Sequence, residues 1–179
     1  DNSDKENAEI RVKLKQIPEN ESLILVATGQ KIGEGFDFPR LDVLMRKVKV
    51  AAVQMRCTRD VNENIANAER LVRKAAADGA QIILLPELFE RQYFCQERRY
   101  DYYQFATPVM ENPAVRYFQR VCASLGVVIT VSFYERDVNR LFNSVAMIDA
   151  DGSILGVYRK THIPDDHFYQ EKFYFTPGA

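Results

Sequence analysis

Apolar positions recur along the chain in two periods, one helical and one alternating. Val61, Ile65, Ala68, Val72 and Ala75 return at spacings of three and four, which places them on one face of a helix. Asp60 with Glu63 three residues on is a capping-box signature for its start. Asp78-Gly79 marks its end, because glycine accepts the left-handed conformation there. Before this helix VKVAAVQM (48–55) reads as a strand, and after it QIILL (81–85) reads as a strand buried on both faces, closed by Pro86-Glu87. Strand, capped helix and strand in this order form a βαβ-type signal, although order alone does not establish parallel pairing.

A second helix is predicted from Pro113 to Ser124, ending at Gly126. Three strands follow, VVITVSFYE (127–135), LFNSVAMID (141–149) and ILGVYRK (154–160), the last two joined as a hairpin through Asp151-Gly152. The tail THIPDDHFYQEKFYFTPGA is aromatic and irregular. Upstream, Ile10, Leu14 and Ile17 predict a helix over 4–17, broken at Pro18-Glu19-Asn20. Leu23 to Ala27 predicts a short strand, TGQKIGEGFDFPRLD a loop, and Val43-Leu44 part of another strand. There is no internal repeat or low-complexity tract.

Composition narrows the class without naming a function. With 46% hydrophobic residues in 179, the chain can fill a core. A formal charge of −1 gives no bulk basicity for nucleic acid, and no apolar run approaches the roughly 20 residues that span a bilayer. The polar, acidic opening DNSDKENAEI is unlike a secretory signal. Cys57, Cys95 and Cys122 show no paired spacing, so a reducing, cytoplasmic setting is expected, with Cys122 a small buried hydrophobe on its helix.

Candidate chemistry lies at strand ends. Glu87 follows a buried strand, where open α/β sheets present groups to ligands. Partial burial there would raise its pKa toward the range useful for proton transfer, but such an acid can equally cap a helix or meet solvent. Lys160 closes ILGVYRK and could stabilise negative charge on a substrate oxygen, or simply be a solvated lysine. Glu171 sits among aromatics in YQEKFYF and suits an interface, a core edge or a site. His162, Asp165, Asp166 and His167 match no standard metal-ligand spacing and read as a polar loop. Residues alone therefore give an α/β domain with a possible carboxylate–lysine site.

From Met45 onward the separated blocks MRKVKVAAVQM, ILLPELFE, NSVAMIDADGSILGVYRKTHIPD and YQEKFYFTPG resemble the nitrilase (carbon–nitrogen hydrolase) superfamily, and within it the N-carbamoylputrescine amidases. The resemblance implies part of an αββα sandwich, cleavage of a linear carbon–nitrogen bond in a small ureide or amide by Cys–Glu–Lys thiol catalysis, no cofactor or metal, and homo-oligomers in the intact enzyme. It implies Glu87 as general base, Lys160 as oxyanion stabiliser and Glu171 as assisting acid. Asp165 or Asp166 would hold the distal ammonium of putrescine. The family's nucleophilic cysteine falls beyond FTPG, and none of Cys57, Cys95 and Cys122 matches its motif. An inactive, C-terminally truncated chain is therefore expected.

SLILVATGQKIGEGFDFPRLDVL, before Met45, resembles motif V in the second RecA-like domain of superfamily 2 helicases, with Thr28, Gly35 and Asp37 as the motif residues. This implies a helix–strand–loop fragment over 1–44, a domain over 45–179 and a join at Leu44/Met45. No Walker A sequence accompanies it, so helicase activity is not expected. A nucleic-acid-associated module and a non-catalytic fold fragment stand as the competing readings.

Overall fold

The computed structural model describes residues 48–179. The helix and strands expected over 1–44, the motif residues Thr28, Gly35 and Asp37, and the join at Leu44/Met45 lie outside the described residues.

Among the described residues five strands make one mixed sheet in sequential order: β1 Val50–Ala52, β2 Ile82–Leu84, β3 Val128–Asp137, β4 Arg140–Ile148 and β5 Ile154–Arg159. β1, β2 and β3 are parallel, in the register Ala51–Ile83–Ile129. Parallel neighbours need crossovers, and two helices supply them: α1 Val61–Ala77 between β1 and β2, and α2 Pro113–Leu125 before β3. β3, β4 and β5 are antiparallel, so short turns suffice. The β4–β5 hairpin closes through Gly152, whose φ of 87° suits glycine and whose N–H donates to the Asp149 carbonyl at 2.9 Å.

Both helices start on side-chain caps. Asp60 accepts from the N–H groups of Asn62 and Glu63, at 2.8 and 3.1 Å. The reciprocal half of the expected capping box is rerouted: Glu63 accepts from the Thr58 hydroxyl at 2.9 Å, and Thr58 Oγ1 accepts the Asp60 N–H. Asn112 caps α2 by accepting from Val115 N–H at 2.9 Å, with Pro113 at the first helical position. α2 ends at Gly126 in the left-handed conformation.

Alternation of side chains across the pleat divides the sheet. Ile83, Ile129, Val131, Phe133, Ala146 and Ile148 face α1 and α2 and are buried with Val72, Val115, Phe118 and Cys122. The small, buried Cys122 is thus where the helical pattern put it. β2 departs from expectation. Ile83 is buried, but its neighbours Ile82 and Leu84 are exposed, Leu84 by 53%. Both helices cover the same face, so among the described residues the opposite face of this apolar strand, with Val50, Met147 and Tyr158, carries no helical layer.

A second, aromatic core unites Leu88, Phe94, Cys95, Tyr134, Tyr174 and Phe175. Phe94 is its centre, with ring centroids 5.2 Å from Tyr134 and 5.0 Å from Tyr174. Such pairs favour edge-on or tilted geometries. Tyr174 and Phe175 of the irregular tail are therefore packed while Phe168 stays exposed, and the tail is tied to the segment after β2 where Gln170 N–H donates to the Cys95 carbonyl at 2.7 Å.

Candidate active site

Three segments deliver one charged side chain each to the same point. Glu87 follows β2 on a turn fixed by its successor: Leu88 has φ of 50° and donates its N–H to the buried Ser132 hydroxyl at 3.0 Å. A non-glycine residue in this region is unusual, and Leu88 is held there by its place in the aromatic core. Lys160 follows β5. Its N–H donates to the Asn143 carbonyl and its carbonyl accepts from Gly178 N–H, both at 2.9 Å. A Cβ at position 178 would collide with the Arg159 backbone, so glycine lets the tail lie this close. Glu171 opens a single 3₁₀ turn, Glu171–Phe173, in that tail.

Lys160 Nζ lies 3.0 Å from Glu87 Oε1 and 2.9 Å from Glu171 Oε2. Two further side chains complete the cluster. Asn143 Nδ2 donates to Glu87 Oε1 at 2.6 Å, and the Tyr93 hydroxyl donates to Glu171 Oε1 at 2.7 Å. The two acids differ in setting. The Glu171 side chain is 4% exposed, whereas that of Glu87 is 51% exposed. The partial burial anticipated for Glu87 is thus slight, and its surroundings are set by Lys160 and Asn143. Among the described residues Glu87 Oε2 accepts no hydrogen bond, which leaves it available to take a proton.

The ammonium is held charged. Partial burial pulls the Lys160 pKa down, but hydrogen bonds to Glu171 and Glu87 and their charges more than offset this, so it stands above its usual value. Burial first, then the bond to Glu171, raises the Tyr93 phenol, so Tyr93 acts as a donor. Such a cluster can move a proton at Glu87 and present a fixed positive charge to a developing oxyanion.

Glu87 and Lys160 line an open cleft of about 580 Å³ along the uncovered sheet face, walled by Ala52, Leu84, Val145 and Tyr158. This is the range of small-molecule sites. Thr130 also lines it, and its Oγ1 is buried without a partner among the described residues.

No described cysteine offers an exposed thiolate here. Cys95 is buried near the cluster, and burial followed by the charge of Glu171 pushes its thiol well above the usual range. Burial raises Cys57, and pushes Cys122 up to about 12. Neither Asp165 nor Asp166 bonds to the cluster. Both are exposed, with Asp166 N–H donating to the Tyr169 carbonyl at 2.8 Å and its side chain turned to His167. His162 is exposed in the same loop, and among the described residues no group of His, Cys, Asp and Glu is placed to hold a metal ion. Asn143, Tyr93 and Ser132 were not singled out from sequence. The available hint was a polar residue, Asn143 or Ser132, interrupting an apolar strand.

Residues 49–179 match the family model described as carbon-nitrogen hydrolase. The chain is 57% identical over 132 residues to the N-carbamoylputrescine amidase of Oryza sativa subsp. japonica, covering 74% of this chain and 44% of that protein. It is 47% identical to the citrullinase of Francisella tularensis, over 75% of this chain and 47% of that protein. The crystal structure of a carbon-nitrogen hydrolase from Helicobacter pylori G27 superposes with a TM-score of 0.69 at 30% identity, over 74% of this chain and 45% of that chain. The chain thus spans about half the length of the relatives it matches. With the nitrilase-type sheet and helices in place and nearly three-quarters of its residues matched, the chain belongs to the carbon–nitrogen hydrolase family.

Proposed function

We propose that this chain carries the acid–base and oxyanion-stabilising side of a thiol amidohydrolase acting on a small ureide, with N-carbamoylputrescine the favoured substrate. The observation that carries the reading is the Lys160 ammonium within 3.0 Å of Glu87 and 2.9 Å of Glu171 at the mouth of a substrate-sized cleft. Both named relatives support a ureido group, H2N–CO–NH–R, as the reacting unit.

In this reading Glu87 takes the proton of a cysteine thiol as the sulfur adds to the ureido carbon. Lys160 holds the resulting oxyanion, and Glu171, anchored by Tyr93, keeps the ammonium in place. The tetrahedral adduct collapses, and Glu87 passes its proton to the departing amine. Water activated by Glu87 then cleaves the carbamoyl thioester. In this reading the attacking cysteine belongs to the part of the family's length that residues 1–179 do not span.

Asp165 or Asp166 holds the distal ammonium of the substrate. The protein works in the cytoplasm as a homo-oligomer without cofactor. Residues 1–44 form a segment foreign to the hydrolase, joined at Leu44/Met45. The start of the family match at residue 49 supports that division.

The test is a chimera in which residues 48–179 are followed by the unmatched C-terminal part of the rice relative. It should release ammonia from N-carbamoylputrescine. Replacing Asp165 and Asp166 with Asn should raise KM for that substrate more than for an uncharged ureide. Equal effects on the two would remove the aspartates from substrate recognition, and a folded chimera inert toward all ureides would remove the assignment.

A further inference from the structure

A second cleft, of about 210 Å³, lies apart from the Glu87 cleft and shares none of its lining residues. Its aromatic wall is Phe94, Tyr102 and Phe105, with Tyr102 and Phe105 stacked at 4.9 Å. Three arginines line it. The Arg91 guanidinium lies 4.2 Å over the Phe105 ring and that of Arg99 4.8 Å over the Tyr102 ring, while Arg59 enters from the loop before α1.

The charges in this cleft do not balance. Arg99 is held by Asp101 at 2.7 Å and lies 3.8 Å from Glu97, the only acid in the lining among the described residues. Arg59 and Arg91 form no ion pair among the described residues. Arg91 feels the neighbouring Glu90 without pairing with it, and two guanidinium groups free of ion pairs among the described residues at one concavity raise the local concentration of anions. Guanidinium is also the side chain best matched to a planar or tetrahedral oxyanion, which it grips through paired N–H donors. The faces of the stacked rings are taken by each other and by Arg91 and Arg99, so Phe105 and Tyr102 present their edges to the cleft, and a ring edge suits the face of a second aromatic body. The volume is below the roughly 300–1,000 Å³ of drug-sized sites, which suits a small occupant.

We propose that this cleft is a separate binding site for a small oxyanion carried on a flat apolar body, such as an aromatic carboxylate. Arg59 and Arg91 grip the anion, and the body packs edge-on against Phe105 and Tyr102. The site is wired to the catalytic cluster by one side chain: Tyr93 lines this cleft and donates its hydroxyl to Glu171 at 2.7 Å. Occupancy therefore reaches the Glu171–Lys160 pair through Tyr93, which gives the site a route to modulate the cluster.

The experiment is a titration of the full chain with benzoate, benzamide and phenyl phosphate, followed by side-chain and backbone NMR, with no activity needed. Failure here leaves the hydrolase reading untouched, and failure of that reading leaves this site standing. Benzoate should bind saturably and about tenfold more tightly than neutral benzamide, the difference one charge-assisted hydrogen-bonding group supplies. Tyr93 resonances should shift on binding, and Arg59→Gln and Arg91→Gln should each weaken benzoate about fivefold or more. Tighter binding of phenyl phosphate that depends on the same arginines would support the oxyanion site and identify a phosphate-bearing ligand. Equal binding of benzoate and benzamide, or benzoate binding unchanged in both variants, overturns the proposal. If either variant fails to fold, salt decides with the unaltered chain: benzoate affinity should fall as ionic strength rises, and a salt-independent affinity counts against the site.

Discussion

Replacing Lys160 with methionine keeps an unbranched apolar side chain while deleting the ammonium that joins Glu87 to Glu171. The two acids respond differently. Glu87 is half exposed and recovers water, but Glu171 is 4% exposed and among the described residues retains only the Tyr93 hydroxyl at 2.7 Å. Breaking a buried ion pair from one side costs about 3–5 kcal/mol, because the remaining charge is stranded. Lys160 is itself 28% exposed, so water screens part of its attraction in the intact pair. We expect Lys160→Met to destabilise the chain by about 2–3 kcal/mol in urea denaturation at pH 7. Adding Glu171→Gln removes the stranded charge, so the double variant should be more stable than Lys160→Met alone. The pH dependence has a definite sign. The folded chain holds the Lys160 proton more tightly than the unfolded chain does. Its contribution is therefore complete below the unfolded pKa of about 10.4 and lost as pH rises through the higher folded value. Above pH ~10 the native chain should thus lose stability more steeply than Lys160→Met. A Lys160→Met chain within about 0.5 kcal/mol of the original, or a double variant equal to the sum of the singles, would mean that Lys160 does not hold the Glu171 charge.

Glu90 is buried, with Asn112 Nδ2 donating to Oε2 at 3.1 Å and Ala114 N–H to Oε1 at 3.4 Å. Desolvation raises its pKa against these bonds, so the folded state binds its proton more tightly. Stability from this group is complete below an unfolded pKa of about 4.3 and lost as pH rises through the folded value. Denaturation at a series of pH values should show a shallower decline above pH ~4.3 in Glu90→Gln than in the original chain. Asp60→Ala removes the cap of α1 and should cost about 0.5–2 kcal/mol, read as a lower urea midpoint. Phe118 is fully buried, with its ring centroid 5.9 Å from that of Phe89. Phe118→Ala should cost about 3–5 kcal/mol by the same measurement.

Local signals made much of the fold legible. The helix Val61–Ala77 was readable because cap, apolar stripe and terminal glycine agreed, and the second helix, expected over Pro113 to Ser124, from its leading proline and terminal glycine, without its Asn112 cap. The exposure of Ile82 and Leu84 was not readable, because composition reports apolarity and not which face finds a partner. Glu87 and Lys160 could each be nominated from their strand-end positions. That they meet, 73 positions apart in the chain, depends on strand order, which spacing does not encode. Resemblance to a family connected them in advance. Asn143 and Tyr93 escaped notice because each is an ordinary residue for its segment, and each becomes informative only through the carboxylate it reaches. The rerouting of Glu63 to Thr58 shows a local motif diverted by a competing hydroxyl two positions before the cap.

In the proposed function Glu87 performs the proton transfers of a thiol amidohydrolase. That role is read from the rate of ammonia release from N-carbamoylputrescine by the chimera carrying the rice C-terminal part, with Glu87 or Gln at position 87. General acid–base catalysis by a positioned side chain contributes about 10²–10⁴-fold. The expected result is a fall of that size in kcat for Glu87→Gln with the fold intact by circular dichroism. Turnover by Glu87→Gln within a few-fold of the unsubstituted chimera would take the proton transfers away from Glu87.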